Sequence, residues 1–265
     1  MNIRGITFTT LVIGTATFAV GCGGKVESTT TKTDTAVTVA LPAHPSPASL
    51  CLYAALENGG YAGSGLVVTL SPQANPAAPL EMLGNGRADI AVTTPQTLIN
   101  QRDGGAPLIS IAALTRQTLS YGALKPPGKS GKAKAARLRH ASALSGGPNA
   151  PAVLVTSRAK VSDSGAMLRR FLQATGRACQ PTGSAVADGR KSWKKAGGRS
   201  KAGKEKASAA ALVPNSARGG NPWGWQQPAQ WTALVVALQT SGQLRGAIAP
   251  DTVFTNEFLS GQGTS

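Results

Sequence analysis

The fold is decided by TAVTVALPAHPSPASLCLYAALENGGYAGSGLVVTL, residues 35–70. Its opening residues are apolar and β-branched over a short run, which predicts a strand at 35–41. Pro42 ends that strand. Ser46-Pro47 then offers an N-cap followed by proline at the first helical position. A strongly apolar helix follows over 50–57, and Asn58-Gly59-Gly60 stops it. Residues 66–70 read as a second strand.

The same alternation continues downstream. Asn75-Pro76 starts a second helix carrying Leu80 and Leu83, ended by Gly84-Asn85-Gly86. Residues 89–93 form a third strand, and Thr94-Pro95 starts a third helix with Leu98 and Ile99. Gly104-Gly105 ends it, and 107–114 contains a fourth strand. This βαβαβαβ order predicts an α/β fold, a parallel sheet with flanking helices. Further on, Leu168, Phe171 and Leu172 sit at helical spacing within 163–175, with Ser162 as the expected cap. Trp231, Leu234, Val235 and Leu238 form another helical face, stopped by Gly242. Trp223 and Trp225 lie in a Gly/Pro loop, where packing onto the sheet domain is at least as good a use for them as stacking on a ligand.

In open parallel sheets, ligands bind outside the carboxyl ends of the strands. Here those joints are 42–47 and 93–96, and the fourth strand exits at Leu114-Thr115-Arg116. A helix N-terminus at such a joint offers N–H groups and a partial positive charge. His44, Ser46, Thr93, Thr94, Gln96, Thr115 and Arg116 are therefore the candidate ligand-binding residues, suited to a small polar or anionic molecule. Taken singly, Ser46 and Thr94 read first as helix caps. No catalytic set emerges. His44 and His140 are the only histidines, and neither has metal-ligand spacing around it. No nucleotide-binding glycine pattern or nucleophile-elbow serine is present, so neither an enzyme nor a cofactor or metal site is expected.

The N-terminus reads as a targeting segment. Arg4 precedes a mostly apolar run over 6–20, too short to span a membrane as a helix. Ala19-Val20-Gly21-Cys22 closes it with small residues before a cysteine. That ending resembles a bacterial lipobox, with alanine where leucine is usual, and it makes Cys22 the expected lipid-attachment residue. Residues 23–34 are polar and threonine-rich, as a tether is. The other cysteines are Cys51 and Cys179. In an exported chain they could pair, but nothing in their spacing demands it and Cys51 lies in an apolar helix, so two buried thiols are the first expectation.

Charge divides the chain. The net charge is +16 in total, yet residues 1–118 balance and 222–265 carry −1. Residues 119–221 hold the whole excess, +17. A polycation there suggests polyanion or anionic-lipid binding. Trp193 is the sole aromatic among the charges of 177–220, so the interleaved stacking platform of a nucleic-acid binder is missing. That absence favours a frameshifted or deleted origin for this stretch over a designed polycation. Residues 177–220 lack apolar periodicity and read as disordered.

Several segments resemble the SsuA/THI5-like (NMT1) family of ABC-transporter substrate-binding proteins. They are Tyr53-Ala54-Ala55-Leu56-Glu57-Asn58-Gly59-Gly60-Tyr61, Gly65-Leu66-Val67-Val68-Thr69, Asn75-Pro76-Ala77-Ala78-Pro79-Leu80 and Gly86-Arg87-Ala88-Asp89-Ile90-Ala91-Val92. Val155-Thr156-Ser157-Arg158 with the following helix resembles the segment where the family returns to its first lobe. Pro228-Ala229-Gln230-Trp231 and Phe254-Thr255-Asn256-Glu257-Phe258-Leu259 resemble its end. The resemblance implies a two-lobed periplasmic-binding fold that hands a small metabolite to a membrane permease and ATPase. The flavour is that of the thiamine-pyrimidine branch, with sulfonates and riboflavin among the family's other ligands. Enzymes of that branch rely on a cysteine-rich motif that is absent here.

The expected organisation is a signal peptide at 1–22, a tether at 23–34 and a first lobe at 35–121. A remnant of the second lobe or a low-complexity linker follows at 122–152, then a return segment at 153–176, a basic disordered segment at 177–220 and a C-terminal helical segment at 221–265. About 30 residues where a second lobe is expected are too few for an independent core. The expected protein is thus a monomeric, membrane-anchored, extracytoplasmic solute-binding lipoprotein with an impaired cleft. The alternatives are a pyrimidine-forming enzyme on the same fold and a basic polyanion binder. Lipid labelling in a bacterial host tests the anchor: the wild-type chain is expected to take up labelled fatty acid and partition with membranes, and Cys22→Ala to do neither.

Overall fold

Along β1 (Thr35–Pro42), Val37, Val39 and Leu41 are buried in one apolar cluster and Ala40 in another. This is the two-residue period of a strand with both faces covered. The structure is a computed structural model and describes residues 34–42, 49–114, 151–179, 191, 194–195 and 221–259. The signal segment with Cys22, the tether at 23–33, His44, Ser46, Thr115, Arg116, His140 and nearly all of 122–152 and 177–220 lie outside the described residues.

After β1 come α1 (Leu50–Glu57), β2 (Leu66–Gln73), α2 (Ala78–Gly84), β3 (Ile90–Thr93), α3 (Pro95–Asp103) and β4 (Leu108–Ala113). Then follow β5 (Val153–Ser157), α4 (Arg158–Asp163), α5 (Gly165–Ala178) and α6 (Pro228–Thr240). The strands form one sheet in the order β2-β1-β3-β5-β4. Leu52, Ala55, Leu168 and Phe171 of α1 and α5 pack on one face against Val39, Ile90, Val92 and Leu154. Leu83, Leu98, Ile99, Trp231 and Leu234 of α2, α3 and α6 pack on the other against Ala40, Ala91, Val153 and Val155. The result is a three-layer α/β/α arrangement of the periplasmic-binding type.

The first-half elements fall where the sequence puts them, with one refinement to the sheet. β1 pairs in parallel with β2 and β3, but β5 runs antiparallel between β3 and β4. The sheet is therefore mixed. β5 is the expected return segment, and its direction follows from the side of the sheet at which the chain re-enters. β2 extends beyond residue 70 to Gln73 and includes Pro72. Proline is tolerated there because β2 is an edge strand with no ladder partner on its outer side. The other edge, β4, is covered: Ser110 N donates to Val253 O and Thr255 N donates to Ser110 O.

One cap assignment changes. Ser49 is the described residue before α1 and makes no side-chain cap bond to it, and the expected cap Ser46 lies outside the described residues. Ser162 does not cap the return helix; its hydroxyl donates to Arg158 O inside α4. Ser157 caps α4 by accepting from Lys160 N, and a break at Ser164 separates α4 from α5. By contrast Thr94 caps α3 as expected, accepting from Thr97 N at 3.1 Å with Pro95 next in line. Trp231, Leu234, Val235 and Leu238 are all buried, and Trp223 and Trp225 pack half-buried on the core.

Cys51 and Cys179 are joined in a disulfide, not left as two thiols. Their Cα atoms are 4.9 Å apart across 128 residues of sequence, because α5 lies along α1 and ends beside its first turn. A bond closing so long a loop stabilises by removing unfolded-chain entropy, typically about 2–5 kcal/mol. Dithiothreitol, or the pair Cys51→Ala/Cys179→Ala, is therefore expected to lower the unfolding free energy from denaturant titration by that amount with the helical circular dichroism retained. Coincident unfolding curves with and without reductant would refute this.

Candidate ligand-binding site

Strand register brings the carboxyl ends to one level. Pro42 pairs with Gln73, Ala40 with Ala91, Thr93 with Val153 and Ala113 with Val153. Gln73, Pro42, Thr93, Val153 and Ala113 thus form one rim across the sheet. The chain leaves β4 and re-enters β5 on this rim, where Leu114 N donates to Ala152 O at 2.9 Å. The stretch expected to have carried a second lobe is therefore rooted here, at the side of the sheet where ligands bind in open α/β folds.

Three candidate residues can be placed. Thr93 ends β3 half-buried, facing the rim level of Pro42. Thr94 follows at the head of α3, its hydroxyl accepting from Thr97 N and 2.8 Å from Thr97 Oγ1. The cap occupies this hydroxyl, so Thr94 contributes the orientation of α3 more than a free group. Gln96 donates through Nε2 to Gln243 Oε1 at 2.9 Å, tying α3 to the turn after α6. Its own Oε1 is buried without a partner. The structure thus brings Thr93 and Thr94 together at the rim and directs the Gln96 amide toward α6. His44, Ser46, Thr115 and Arg116 are outside the described residues.

The loop holding Trp223 and Trp225 closes one corner of the rim. Gly224 O accepts from Ala113 N at 2.8 Å at the end of β4. Gly224 has φ +85°, and a Cβ there would lie 3.0 Å from Leu259 Cδ2 and 3.1 Å from Ala112 Cβ, so only glycine fits the turn. Trp223 rests on Gly176 of α5, where a Cβ would lie 3.0 Å from the indole Cε3. The Cys51–Cys179 bond ties the first turn of α1 to the end of the same helix, α5.

Asp89 belongs to a signature segment, yet it sits at the opposite end of β3. Asp89 Oδ2 accepts from Thr38 N at 2.8 Å, and Asp89 Oδ1 pairs with Lys160 Nζ at 2.7 Å. Asp89 N donates to Thr38 O, and Asp89 O accepts from Thr156 Oγ1 at 2.7 Å. One aspartate so stitches β1, β3, β5 and α4 at the amino end of the sheet. Arg170 does similar work, its guanidinium donating to Ser64 O, Gly65 O and Thr35 Oγ1. Neither role carries a local sequence signal, since each joins groups far apart in the chain. Among the described residues, no group of three or more His, Cys, Asp or Glu side chains is placed to hold a metal ion. No helix among them is long and apolar enough to cross a membrane.

Comparison with known proteins agrees with this geometry. Residues 46–126 match the family described as NMT1/THI5 like. A formylaminopyrimidine-binding protein of Halalkalibacterium halodurans is 31% identical over 85 residues, 32% of this chain and 26% of that protein. The chain thus matches about a quarter of the length of that curated relative. Among solved structures, a Candida albicans gene product described as having the generic periplasmic binding protein structural fold superposes with TM-score 0.58 at 14% identity. That superposition covers 83% of this chain and 96% of that one. The ligand-binding component of an ABC-type import system from Staphylococcus aureus, with zinc bound, gives 0.56 at 11% identity over 84% and 97% of the two chains. The alkanesulfonate-binding protein SsuA from Xanthomonas axonopodis pv. citri, bound to MOPS, gives 0.53 at 14% identity over 83% and 98%. At these identities the superpositions establish the periplasmic-binding fold alone.

The two ends of the sheet are expected to respond differently to mutation. Asp89→Ala strands Thr38 N and should cost about 1.5–3 kcal/mol, as loss of hydrogen bonds to a charged group does. Lys160→Ala removes only a partly exposed ion pair and should cost under about 1 kcal/mol. Urea unfolding of the two variants checks the order, and neither should alter small-ligand affinity.

Proposed function

We propose, from an NMT1/THI5-like stretch set in a periplasmic-binding fold, that this protein is an extracytoplasmic solute-binding lipoprotein of an ABC importer. The observation that carries the reading is the rim itself. The carboxyl ends of the strands, the head of α3 and the exit and return of the chain at Leu114 and Ala152 converge on one edge of the sheet. The described rim residues Pro42, Gln73, Thr93, Thr94 and Trp225 are uncharged and offer hydroxyl, amide and aromatic groups. Such a lining suits a small polar metabolite held by hydrogen bonds. The curated relative is a formylaminopyrimidine-binding protein, and one structural neighbour is an alkanesulfonate-binding protein. A pyrimidine precursor or a sulfonate is accordingly the proposed ligand, passed on to a permease and its ATPase.

Anchoring through Cys22 completes the proposal. The Cys51–Cys179 disulfide supports export, since such bonds persist in oxidising compartments outside the cytoplasm. It also weighs against the enzyme alternative. Two of the three cysteines are bound to each other and the third lies in the lipobox-like ending, which leaves no cysteine cluster for chemistry.

One wall of a cleft buries less of a ligand than two. The stretch at 122–152 is short and basic, so the proposed affinity is weak, with Kd about 1 mM, equivalent to about 4 kcal/mol. Thermal-shift titration with a formylaminopyrimidine, MOPS and riboflavin tests this. A saturable shift with one compound, only at millimolar concentration, is expected. Micromolar saturation would overturn the impaired cleft, whereas salt-sensitive DNA binding with no small-molecule shift would favour the polyanion reading carried by the +17 segment.

A further inference from the structure

The sequence holds two Asn-Gly pairs, Asn58-Gly59 and Asn85-Gly86. Each ends a helix, and the two ends are built alike. Asn58 closes α1 with φ −84° and ψ 9°, and Asn85 closes α2 with φ −98° and ψ 11°. The glycines that follow take φ +71° and +74°. Gly59 N donates to Leu56 O and Gly86 N to Leu83 O, both at 3.3 Å. Both asparagines are exposed. In each, the side-chain Oδ1 accepts from the backbone N–H two residues on, Gly60 N at 3.0 Å and Arg87 N at 3.3 Å.

The difference between them is a charge. Asn85 Oδ1 also accepts from Arg87 Nε at 3.2 Å, whereas residue 60 is a glycine and brings no side chain. A guanidinium on a carbonyl oxygen draws electrons from its carbon and opens that carbon to a nucleophile. The bond strengthens as the oxygen gains negative charge. The nucleophile at hand is the backbone nitrogen of the next residue. At Gly59 and Gly86 alike, nothing lies within 4 Å of where a Cβ would stand, so the two nitrogens are equally unhindered.

We infer that Asn85 is a site of spontaneous deamidation promoted by Arg87, so that Asn85-Gly86 reacts ahead of Asn58-Gly59. Gly86 N gives its proton to hydroxide and bonds to Asn85 Cγ. The ring so formed carries the negative charge on Oδ1, against Arg87 Nε. The bond from Cγ to Nδ2 then breaks, and Nδ2 takes up a proton and leaves as ammonia. Water opens the remaining cyclic imide at either carbonyl, giving an aspartyl or an isoaspartyl residue at position 85. The turn leads into Asp89, with Arg87 N and Ala88 N both donating to Met82 O. An isoaspartyl link lengthens the backbone within that turn. The modification therefore falls at the amino end of β3, where Asp89 stitches the strands, and not at the rim.

The full-length protein is incubated at mildly alkaline pH and digested at intervals, and the peptides holding residues 58 and 85 are quantified by mass spectrometry. Amide-to-acid conversion at Asn85 is expected to run about three- to tenfold faster than at Asn58. Arg87→Gln should bring the Asn85 rate down to that of Asn58 and leave Asn58 unchanged. Equal rates in the wild type, or faster conversion at Asn58, would overturn the proposal. So would an Asn85 rate that Arg87→Gln leaves as it was. The wild type is also incubated in denaturing urea, where the two rates are expected to converge. A preference for Asn85 that persists there overturns the role given to the folded contact with Arg87.

Discussion

The sheet depends on β5 standing antiparallel between β3 and β4. Without it β3 and β4 have no hydrogen-bonded partner on their facing sides, and the register that levels Thr93, Val153 and Ala113 is lost. Its residues Val153, Leu154 and Val155 are fully buried and alternate between the two apolar clusters, so the strand also holds both helical layers to the sheet. A strand that arrives from the carboxyl side must run backwards. The antiparallel pairing is the geometric consequence of an excursion that starts at Leu114 and ends at Ala152 on the same edge. The bulge between Ser110 and Ala112 lets β4 serve β5 and the C-terminal segment together.

That C-terminal segment is fastened by a polar clasp rather than by burial alone. Gln226 is fully buried, and Ser110 Oγ lies 2.5 Å from Gln226 Oε1. Gln226 Nε2 donates to Ser110 O and Thr255 O, and its backbone exchanges hydrogen bonds with the Asn256 side chain. Every polar group of the buried glutamine side chain is thus engaged, the condition under which burying it is tolerated. The Phe-Thr-Asn-Glu-Phe stretch, read in the sequence as a family ending, thereby acquires a structural use. Its asparagine and threonine close the edge of β4.

What was legible in the sequence was local. Helix α1 spans Leu50–Glu57 and α3 is capped by Thr94, because alternation, capping and glycine stops act within a few residues. What was not legible required residues far apart. The direction of β5 depends on where a long excursion returns, and the Cys51–Cys179 bond on α5 lying along α1. Asp89 reads in the chain as part of a strand signature and proves to be a girder for three strands and a helix. Ser162 shows the converse limit. It had the right residue type for a cap, yet the helix began at Ser157, whose extended backbone suits the cap position. Thr93 and Thr94 stand at the carboxyl end of β3 and the head of α3, while the Gln96 amide is drawn to Gln243, a partner 147 residues away that no local pattern announces.

The two ends of the sheet differ in how their polar groups are engaged, and the difference has a physical basis. At the amino end, Asp89 is engaged by Thr38 N, Lys160 and Thr156, and Arg170 separately donates to Ser64 O, Gly65 O and Thr35 Oγ1. At the carboxyl end the described bonds are local to the rim: Thr94 caps α3, Ala113 N donates to Gly224 O and Leu114 N donates to Ala152 O. The chain departs from this edge and returns to it, so the groups along it are the ones the proposed solute would meet. Most of the basic excess lies outside the described scaffold, and the part carried on α4 and α5 includes Lys160 and Arg170, which are tied into the sheet by Asp89, Thr35 and the backbone rather than left to attract a polyanion.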